Sequence, residues 1–98
     1  MKFRFHPEAL AEFEGAARHY AAIQPALANR FVDSVEAAIG KLVEQPTSYA
    51  ILEEDVRRCL TRVFPYAVLY TVELEYVLIV AVMHCHRKPG YWHHRVGV

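Results

Sequence analysis

Hydrophobic positions near the start of the chain repeat at helical spacing after a short extended segment. Residues Lys2 to Phe5 favour a β-strand. His6-Pro7-Glu8 then marks a helix start, because proline fits the first turn and glutamate complements the positive end of the helix dipole. The pattern predicts a helix from Pro7 to about Ala22, and its apolar stripe consists of Leu10, Phe13, Ala17 and Tyr20. Its solvated side is expected to carry the acidic residues Glu8, Glu12 and Glu14.

A second amphipathic pattern begins at Pro25 and ends before Pro46. Its apolar stripe consists of Ala28, Phe31, Val32, Val35, Ala38, Ile39 and Leu42. Two such helices joined by a few residues form an antiparallel hairpin. Neither helix can bury its stripe alone, so the hairpin requires a third surface.

The rest of the chain supplies that surface as strand-like runs. After a predicted loop from Gln45 to Asp55, strands are expected over Val56 to Arg62, Tyr66 to Val72 and Tyr76 to His84. Phe64-Pro65 separates the first two, since proline removes a donor from the hydrogen-bond ladder. The last strand is apolar on both faces, as a buried central strand is. The predicted order is β-α-α-β-β-β, an α+β fold with a two-helix antiparallel hairpin packed on a largely antiparallel sheet.

The composition indicates one folded domain over residues 1–98, because 54% of the 98 residues are hydrophobic. The net charge is zero but unevenly distributed. Residues 1–54 contain five basic and eight acidic residues, whereas residues 55–98 contain six basic and three acidic. The last fifteen residues contain Arg87, Lys88 and Arg95 and no acid. This asymmetry favours an anionic or acidic partner at the C-terminal end.

The two cysteines, Cys59 and Cys85, have no spacing typical of a disulfide framework, and both are expected as small core residues. The first residues lack the apolar run of a signal peptide. The longest apolar stretch, Tyr76 to Met83, is far shorter than the ~20 residues that span a bilayer. We therefore expect a reduced, cytoplasmic protein that does not contact the membrane.

Basic residues occur on one predicted strand and again after another. Arg57, Arg58 and Arg62 belong to the first group, and Arg87, Lys88 and Arg95 to the second. If the two strands are neighbours, these side chains converge on an anion such as a phosphate or an acidic peptide. The alternative is that the strand arginines solvate an edge or pair with the acidic run Glu53-Glu54-Asp55.

Histidines and aromatic residues are concentrated in the same tail. His84, His86, His93 and His94 lie close to Cys85, but their spacing is not that of a structural zinc unit, so no metal is expected. A tail histidine can act as a general acid or base, or hydrogen-bond backbone at the strand end. Tyr91 and Trp92 can stack on nucleobases or fold back over the sheet after a turn at Gly90. Folding back is the preferred interpretation for Trp92, and both remain open for Tyr91.

Three segments together resemble the RelE/ParE family of small bacterial toxins. They are the helical PEALAEFEGAARHYAAIQPALANRFVDSVEAAIGKLVEQP, then VRRCLTRVFPYAVLYTVE, then IVAVMHCHRKPGYWHHR. The most specific parts are Phe64-Pro65-Tyr66, Leu69-Tyr70 and His84 through Arg95. The family has the β-α-α-β-β-β fold inferred above. The resemblance implies the toxin of a type II toxin–antitoxin module, neutralised by an antitoxin whose C-terminal segment wraps it.

The family that the chain resembles divides into two activities. RelE-like members cut mRNA in the ribosome, holding phosphate with Arg and Lys and transferring a proton with Tyr or His. ParE-like members poison DNA gyrase and are not nucleases. In the nuclease branch an arginine tends to stand where this chain has Ala67, and alanine cannot stabilise a developing phosphate charge. Because Phe64-Pro65-Tyr66 and His84-Cys85-His86-Arg87 also look ParE-like, the resemblance favours gyrase inhibition and no enzymatic activity.

The resemblance also implies which residues carry function. Contacts to the gyrase target or the antitoxin are expected from Arg57, Arg58, Arg62, His86, Arg87, Lys88, Tyr91, Trp92 and Arg95. For the alternative endoribonuclease, the catalytic candidates are Arg58, Arg62, His84, Arg87 and Tyr91. A third alternative is an inactive member that only binds its antitoxin. No cofactor is expected in any of these cases.

Overall fold

The computed structural model describes residues 1–97, which form two helices, five strands and one short 3-10 turn. Strand β1 is Lys2–Phe5, helix α1 is Pro7–Ile23 and helix α2 is Pro25–Glu44. The remaining strands are β2 (Ile51–Glu53), β3 (Val56–Leu60), β4 (Tyr66–Val72) and β5 (Tyr76–His84), and the 3-10 turn is His93–Arg95. The predicted α+β fold, a helical hairpin on a mostly antiparallel sheet, is therefore confirmed.

The five strands form one sheet in the order β1-β5-β4-β3-β2. β1 pairs with β5 in parallel, and all other neighbours are antiparallel. In the ladder between β4 and β5, Tyr66 pairs with His84 and Val72 with Val77. The β3–β4 turn and the C-terminal end of β5 therefore lie at one end of the sheet. The β2–β3 and β4–β5 turns lie at the other.

Each helix begins where the sequence predicts. The Nδ1 atom of His6 accepts a hydrogen bond from the backbone N–H of Glu8 at 3.1 Å, which satisfies one free donor of the first turn of α1. Gln24 is extended (φ −165°) and ends α1, and Pro25 in the first turn of α2 begins the next helix at once. The result is the expected hairpin with a one-residue connection.

The helix-facing core joins the hairpin to one face of the sheet. Phe31, Val35 and Leu42 of α2 are completely buried, as are Val68 and Ile79 of the sheet. Aromatic rings continue through this core with centroid separations of 4.9–6.0 Å, in the order Phe5, Phe13, Phe31, Tyr66 and His84. Aromatic rings packed edge to face or offset stabilise a core beyond the burial of their apolar surface.

A second core covers the opposite face of the sheet, and the C-terminal tail supplies its outer layer. Ala67, Leu69 and Val80 are completely buried there, and Trp92 of the tail is 2% exposed. β4 and β5 are consequently buried on both faces. The prediction that the last strand is a central one is confirmed, because β5 lies between β1 and β4.

The expected loop between α2 and the strands was partly wrong, because β2 lies inside it. β2 has only three residues, all exposed, so its sequence carries no alternation of buried and exposed positions. It pairs with β3 across a tight turn in which Glu54 has φ +48°. β3 itself ends at Leu60 rather than Arg62, because the Thr61 hydroxyl and N–H bond back across the turn to Tyr66.

Candidate functional site

The C-terminal tail, residues 85–97, leaves β5, turns and lies back over the sheet. Gly90 has φ +77°, and a Cβ atom placed there would lie 2.5 Å from the His93 ring. Only glycine fits this position without strain. The turn delivers Trp92 into the second core, as preferred for that residue from the sequence.

Tyr91 and Arg95 of the tail meet Glu12 of α1 in a part-buried cluster that we call the clasp. The Arg95 guanidinium donates two hydrogen bonds to the Glu12 carboxylate, at 2.8 and 3.0 Å, and the Tyr91 hydroxyl donates another at 2.6 Å. Side-chain exposure is 5% for Arg95 and 17% for Glu12. Such charge-assisted, bidentate contacts in a poorly solvated place are among the stronger polar interactions in proteins.

The clasp also completes the edge of the sheet. β1 ends at Phe5, opposite Ile79, while β5 continues to His84 and leaves part of its edge without a partner strand. There the Glu12 carboxylate accepts from the Val82 N–H at 3.0 Å, and Arg95 donates to the Val80 carbonyl at 3.2 Å. Side chains thus replace the missing strand, because buried backbone groups require hydrogen-bond partners.

The environment of the clasp fixes the protonation of two of its members. Burial raises the pKa of the Tyr91 hydroxyl well above its usual range, and its hydrogen bond to Glu12 raises it further. The hydrogen bond to Glu12 also raises the pKa of Arg95. The tyrosine is therefore neutral and bound as a donor, which makes it poorly suited to take up a proton from a substrate.

Two exposed histidine–glutamate hydrogen bonds attach the outer side of the tail. His93 Nε2 lies 2.7 Å from Glu53 of β2, and His94 Nε2 lies 2.9 Å from Glu8 of α1. The hydrogen bond from His94 holds the pKa of Glu8 below its usual value. Acids distant in sequence therefore converge on a tail that contains none of its own.

Burial also corrects two of the expected contact residues. Trp92 is 2% exposed and the Arg95 side chain 5%, so neither is presented to a partner while the tail is docked. Glu12, expected on the solvated side of α1, was the residue that the sequence interpretation missed. Glu12 shares its helix face with Ala9 and Ala16, which are buried but were not part of the predicted apolar stripe.

Residues 85–89 form an exposed turn, which we call the basic turn. It carries two cationic side chains that a partner protein can reach. The Arg87 guanidinium stacks on the Tyr91 ring at 4.0 Å, and Lys88 is exposed beside it. Within residues 1–97 neither makes an ion pair. Because the clasp holds Tyr91 in place, the stacked guanidinium is presented on a fixed support.

His84, His86 and Cys85 lie at the base of this turn. The His84 ring accepts a hydrogen bond from the His86 N–H at 3.1 Å, the backbone role considered as one alternative for a tail histidine. Cys85 is exposed, so its expected burial was wrong, whereas Cys59 is buried as expected. Among residues 1–97, no three His, Cys, Asp or Glu side chains are placed to hold a metal ion.

The arginines of β3 do not converge with the tail. β4 lies between β3 and β5, so the condition for a shared anion site is not met. Arg57 instead donates to the carbonyls of Thr47 and Tyr49, at 3.0 and 2.7 Å, and holds the loop before β2. Arg58 and Arg62 are exposed.

A cleft of about 330 Å³ separates α2 from the end of β3 and the β3–β4 turn. Its mouth exposes apolar side chains, with Leu60 58% and Val63 84% exposed. Val63 has φ +74°, an unfavourable conformation for a β-branched residue, and the Ser34 hydroxyl bonds to the adjacent Arg62 carbonyl at 2.7 Å. The charged residues that line the cleft are Arg30, Lys41, Arg62 and Asp33.

The two-helix hairpin on a mostly antiparallel sheet, closed by a docked tail, defines a small α+β protein with the fold that the sequence resemblance implied. The chain matches the family model described as the ParE toxin of the type II toxin–antitoxin system parDE over residues 3–89. The protein therefore belongs to the ParE toxin family. The Tyr91 and Arg95 side chains of the clasp lie just beyond the matched region.

A solved structure supports the fold. The chain is similar to one from the chromosomal ParDE toxin–antitoxin system of P. aeruginosa, with a TM-score of 0.73 and 17% sequence identity. The similarity covers 86% of this chain and 95% of that one. No curated protein matches the sequence significantly. No helix within residues 1–97 is both long and apolar enough to cross a membrane.

Proposed function

We propose that this protein arrests growth by poisoning DNA gyrase in the cytoplasm through protein contact, and that a cognate antitoxin neutralises it. The observation that carries the choice between the two family activities is the burial of Ala67. This residue has no exposed surface and lies beneath the tail, in the core with Tyr91 and Met83. A phosphate-binding group is absent at this position, and a substrate cannot reach it while the tail is docked.

Two further features support an action without catalysis. The Tyr91 hydroxyl is bound to Glu12 with a raised pKa, so it is not available as a general base. Arg58 lies on β3 and His84 at the end of β5, with β4 between them. Arg58 is paired with Leu69, which faces the tail, and His84 is paired with Tyr66, which faces the helices, so the two side chains lie on opposite faces of the sheet and do not form one phosphate site.

For the contact with gyrase we propose the basic turn. Arg87 and Lys88 are exposed and form no ion pair with any other residue of the described range 1–97, and the clasp fixes the ring on which Arg87 stacks. His86 is exposed next to them and completes a cationic and aromatic surface. Such a surface suits an acidic patch on a protein partner, because charge complementarity raises the rate of association and fixes orientation.

For the antitoxin we propose the cleft between α2 and β3. Its exposed Leu60 and Val63 offer apolar anchor points, and Arg30, Lys41 and Arg62 surround them with positive charge. An acidic, amphipathic segment that folds on binding matches this combination. Asp33 is an unfavourable neighbour for such a segment and sets its register by repulsion.

The proposed target is tested with purified gyrase and with induced cells. We expect the protein to inhibit supercoiling and to produce DNA breaks in cells, and the Arg87→Ala, Lys88→Ala double variant to lose about tenfold or more in potency. The control variant Lys2→Ala, Arg18→Ala removes two exposed cations elsewhere and should retain full potency. Unchanged gyrase activity together with cleaved ribosome-bound mRNA would replace the proposal by the endonuclease alternative. No growth arrest at all would leave only antitoxin binding.

The proposed antitoxin site is tested by binding of the small protein encoded in the neighbouring reading frame. Leu60→Ser, Val63→Ser should weaken that binding by about a hundredfold, since two apolar anchors each contribute roughly 1–2 kcal/mol at an interface. The matched control is Val72→Ser, Leu74→Ser, which alters apolar residues that are also exposed, at the other end of the sheet. Equal affinity of the two double variants would exclude the cleft.

A further inference from the structure

A second groove lies at the opposite end of the sheet from the cleft and the basic turn. It measures about 570 Å³ and is bounded by the β2–β3 turn, the β4–β5 turn and the tail. We call it the acidic groove. The seven residues of β4, at about 3.3 Å each, put it roughly 20 Å from the cleft. A molecule bound in the acidic groove would therefore not compete for the surfaces proposed for gyrase and antitoxin.

The floor of the acidic groove is apolar and partly accessible. Leu78 and Tyr76 of β5 and Val96 of the tail are half-buried, above the fully packed Val56 and Trp92. Burying the accessible part of such side chains under an aliphatic residue of a partner is favourable at about 25 cal/mol per Å². The floor therefore supplies the apolar component of a binding site.

The rim carries four carboxylates and, among the described residues, no lysine or arginine. These residues are Glu53, Glu54, Asp55 and Glu73. Glu53 is paired with His93, and Glu73 accepts a hydrogen bond from Thr71 at 2.6 Å. Within residues 1–97, Glu54 and Asp55 make no ion pair, and Glu54 is held in the left-handed region at φ +48°. Unpaired like charges at one rim repel one another, and a cationic partner removes that repulsion.

From this combination we propose that the acidic groove binds a basic segment of a partner protein, with arginine or lysine on either side of one aliphatic anchor. The anchor lies against Leu78, and the flanking cations meet Glu54 and Asp55. The negative charge of the rim selects basic segments over others, because an acidic or neutral segment would cover the rim carboxylates without supplying a cation to pair with them. This surface serves a binding event separate from gyrase contact and antitoxin neutralisation.

A second copy of the chain is a poorer occupant. Its own basic turn lies at the opposite end of the sheet, so docking that turn into the acidic groove joins unlike surfaces head to tail. Contacts of that kind either close into a ring or continue into a filament. A separate basic segment meets the same charges without this consequence.

The proposal is tested by fluorescence anisotropy on the whole protein. The probe is a labelled peptide of alternating arginine and leucine, compared with one of alternating glutamate and leucine. We expect only the first to bind, and Glu54→Lys, Asp55→Lys to weaken it by about tenfold or more. The control Glu14→Lys, Glu36→Lys makes the same change in net charge at exposed helix positions that, within residues 1–97, form no ion pair.

A second measurement locates the bound peptide. In the native protein the methyl signals of Leu78 and Val96 and the indole signal of Trp92 should shift on titration, while those of Leu60 and Val63 stay constant. The proposal is overturned if the groove double variant and the control double variant weaken binding equally. It is overturned as well if the NMR signals that shift belong to residues of the cleft. It is also overturned if sedimentation shows self-association that Glu54→Lys, Asp55→Lys abolishes, because the occupant is then a second copy.

Discussion

At the scale of single residues, Gly90 decides where the tail can go. Alanine at this position would have to adopt φ +77° and would place its Cβ 2.5 Å from the His93 ring. We expect Gly90→Ala to lower the free energy of unfolding by about 1–2 kcal/mol, from the left-handed conformation and the displaced ring. Urea denaturation measures the change, and the His93 ring signals should show the loss of its contact with Glu53.

Gly40 provides the matched control for that substitution. It lies in α2, where a Cβ atom would meet no neighbouring group within 4 Å, and its backbone is helical. Gly40→Ala should therefore stabilise the protein by about 0.5–1 kcal/mol, through the higher helix propensity of alanine. If both substitutions changed the free energy of unfolding in the same direction, docking of the tail would not depend on the left-handed conformation of Gly90.

The buried Tyr70 gives a pH-dependent prediction. Its hydroxyl donates to the Pro46 carbonyl at 2.6 Å, and burial raises its pKa to about 12. Because the folded pKa lies above the unfolded value, the stabilisation is present below about pH 10 and is lost as the pH rises through the folded value. Tyr70→Phe should cost about 1 kcal/mol at pH 8.

The pH dependence of that cost distinguishes the titration from simple loss of a hydrogen bond. The difference in unfolding free energy between native protein and Tyr70→Phe should shrink between about pH 10 and pH 12, because the native protein loses stability there. Urea denaturation at about pH 8 and about pH 11 measures it. A difference that stays constant would contradict the raised pKa of Tyr70.

The residue scale also shows what sequence could and could not reveal. The burial of Trp92 and of Cys59 followed from residue type and context. The role of Glu12 did not, because its partners Tyr91 and Arg95 are about eighty positions away in the chain. The inward face of α1 at Glu12 was not predicted either, because the buried Ala9 and Ala16 lay outside the predicted apolar stripe.

At the scale of elements, long segments with strong periodicity were predictable, as was the short β1, whereas β2 was not. Both helices and the strands β4 and β5 follow hydrophobic patterns that extend over seven or more residues. β2 is stabilised by pairing with β3 alone and has no pattern of its own. The order β1-β5-β4-β3-β2 likewise depends on pairing between distant segments, so the separation of the arginines of β3 from the tail could not be read from their spacing.

The clasp connects α1, β5 and the tail, and its removal should affect all three. Glu12→Gln keeps one acceptor but leaves the Arg95 charge, at 5% exposure, without its carboxylate. We expect a loss of about 2 kcal/mol in unfolding free energy. Glu14→Gln, which changes an exposed carboxylate on the same helix, should alter stability by less than about 0.5 kcal/mol.

A double-mutant cycle checks that the two residues act together. Arg95→Met combined with Glu12→Gln should be more stable than the sum of the single changes predicts, because neither charge is then buried alone. Hydrogen exchange at the Val82 amide should accelerate in both single variants, since this N–H is bonded to Glu12. Additive free energies with unchanged exchange would contradict the clasp as a unit.

At the scale of the whole molecule, charges of opposite sign gather at the two ends of one sheet, and each end takes residues from both halves of the chain. The cleft and the basic turn occupy one end, and the acidic groove the other. The net charge of zero therefore includes a mainly positive surface at one end of the sheet and a negative one at the other. The sequence predicted the asymmetry, but it could not predict that acids of the first half pair with His93, His94 and Arg95 of the second.

The tail is held by Glu8, Glu12 and Glu53, so we expect it to unfold together with the rest of the protein. The protein contains a single tryptophan, Trp92, which lies in the core formed by tail and sheet. Its fluorescence therefore reports tail docking, while far-UV circular dichroism reports the helices and the sheet. In the native protein the two urea transitions should coincide, as for a two-state domain of this size.

Arg95→Ala should separate these transitions. The variant loses the Arg95 contacts of the clasp, and Trp92, the Tyr91–Glu12 hydrogen bond and the exposed histidine contacts then hold the tail less firmly, so the fluorescence transition should occur at lower urea than the dichroism transition. Arg18→Ala, at an exposed arginine of α1, should leave them coincident. If the fluorescence transition already occurred at lower urea than the dichroism transition in the native protein, the tail would be a weakly attached segment. The fixed support proposed for Arg87 would then be lost, and the basic turn would have to order itself on contact with its partner.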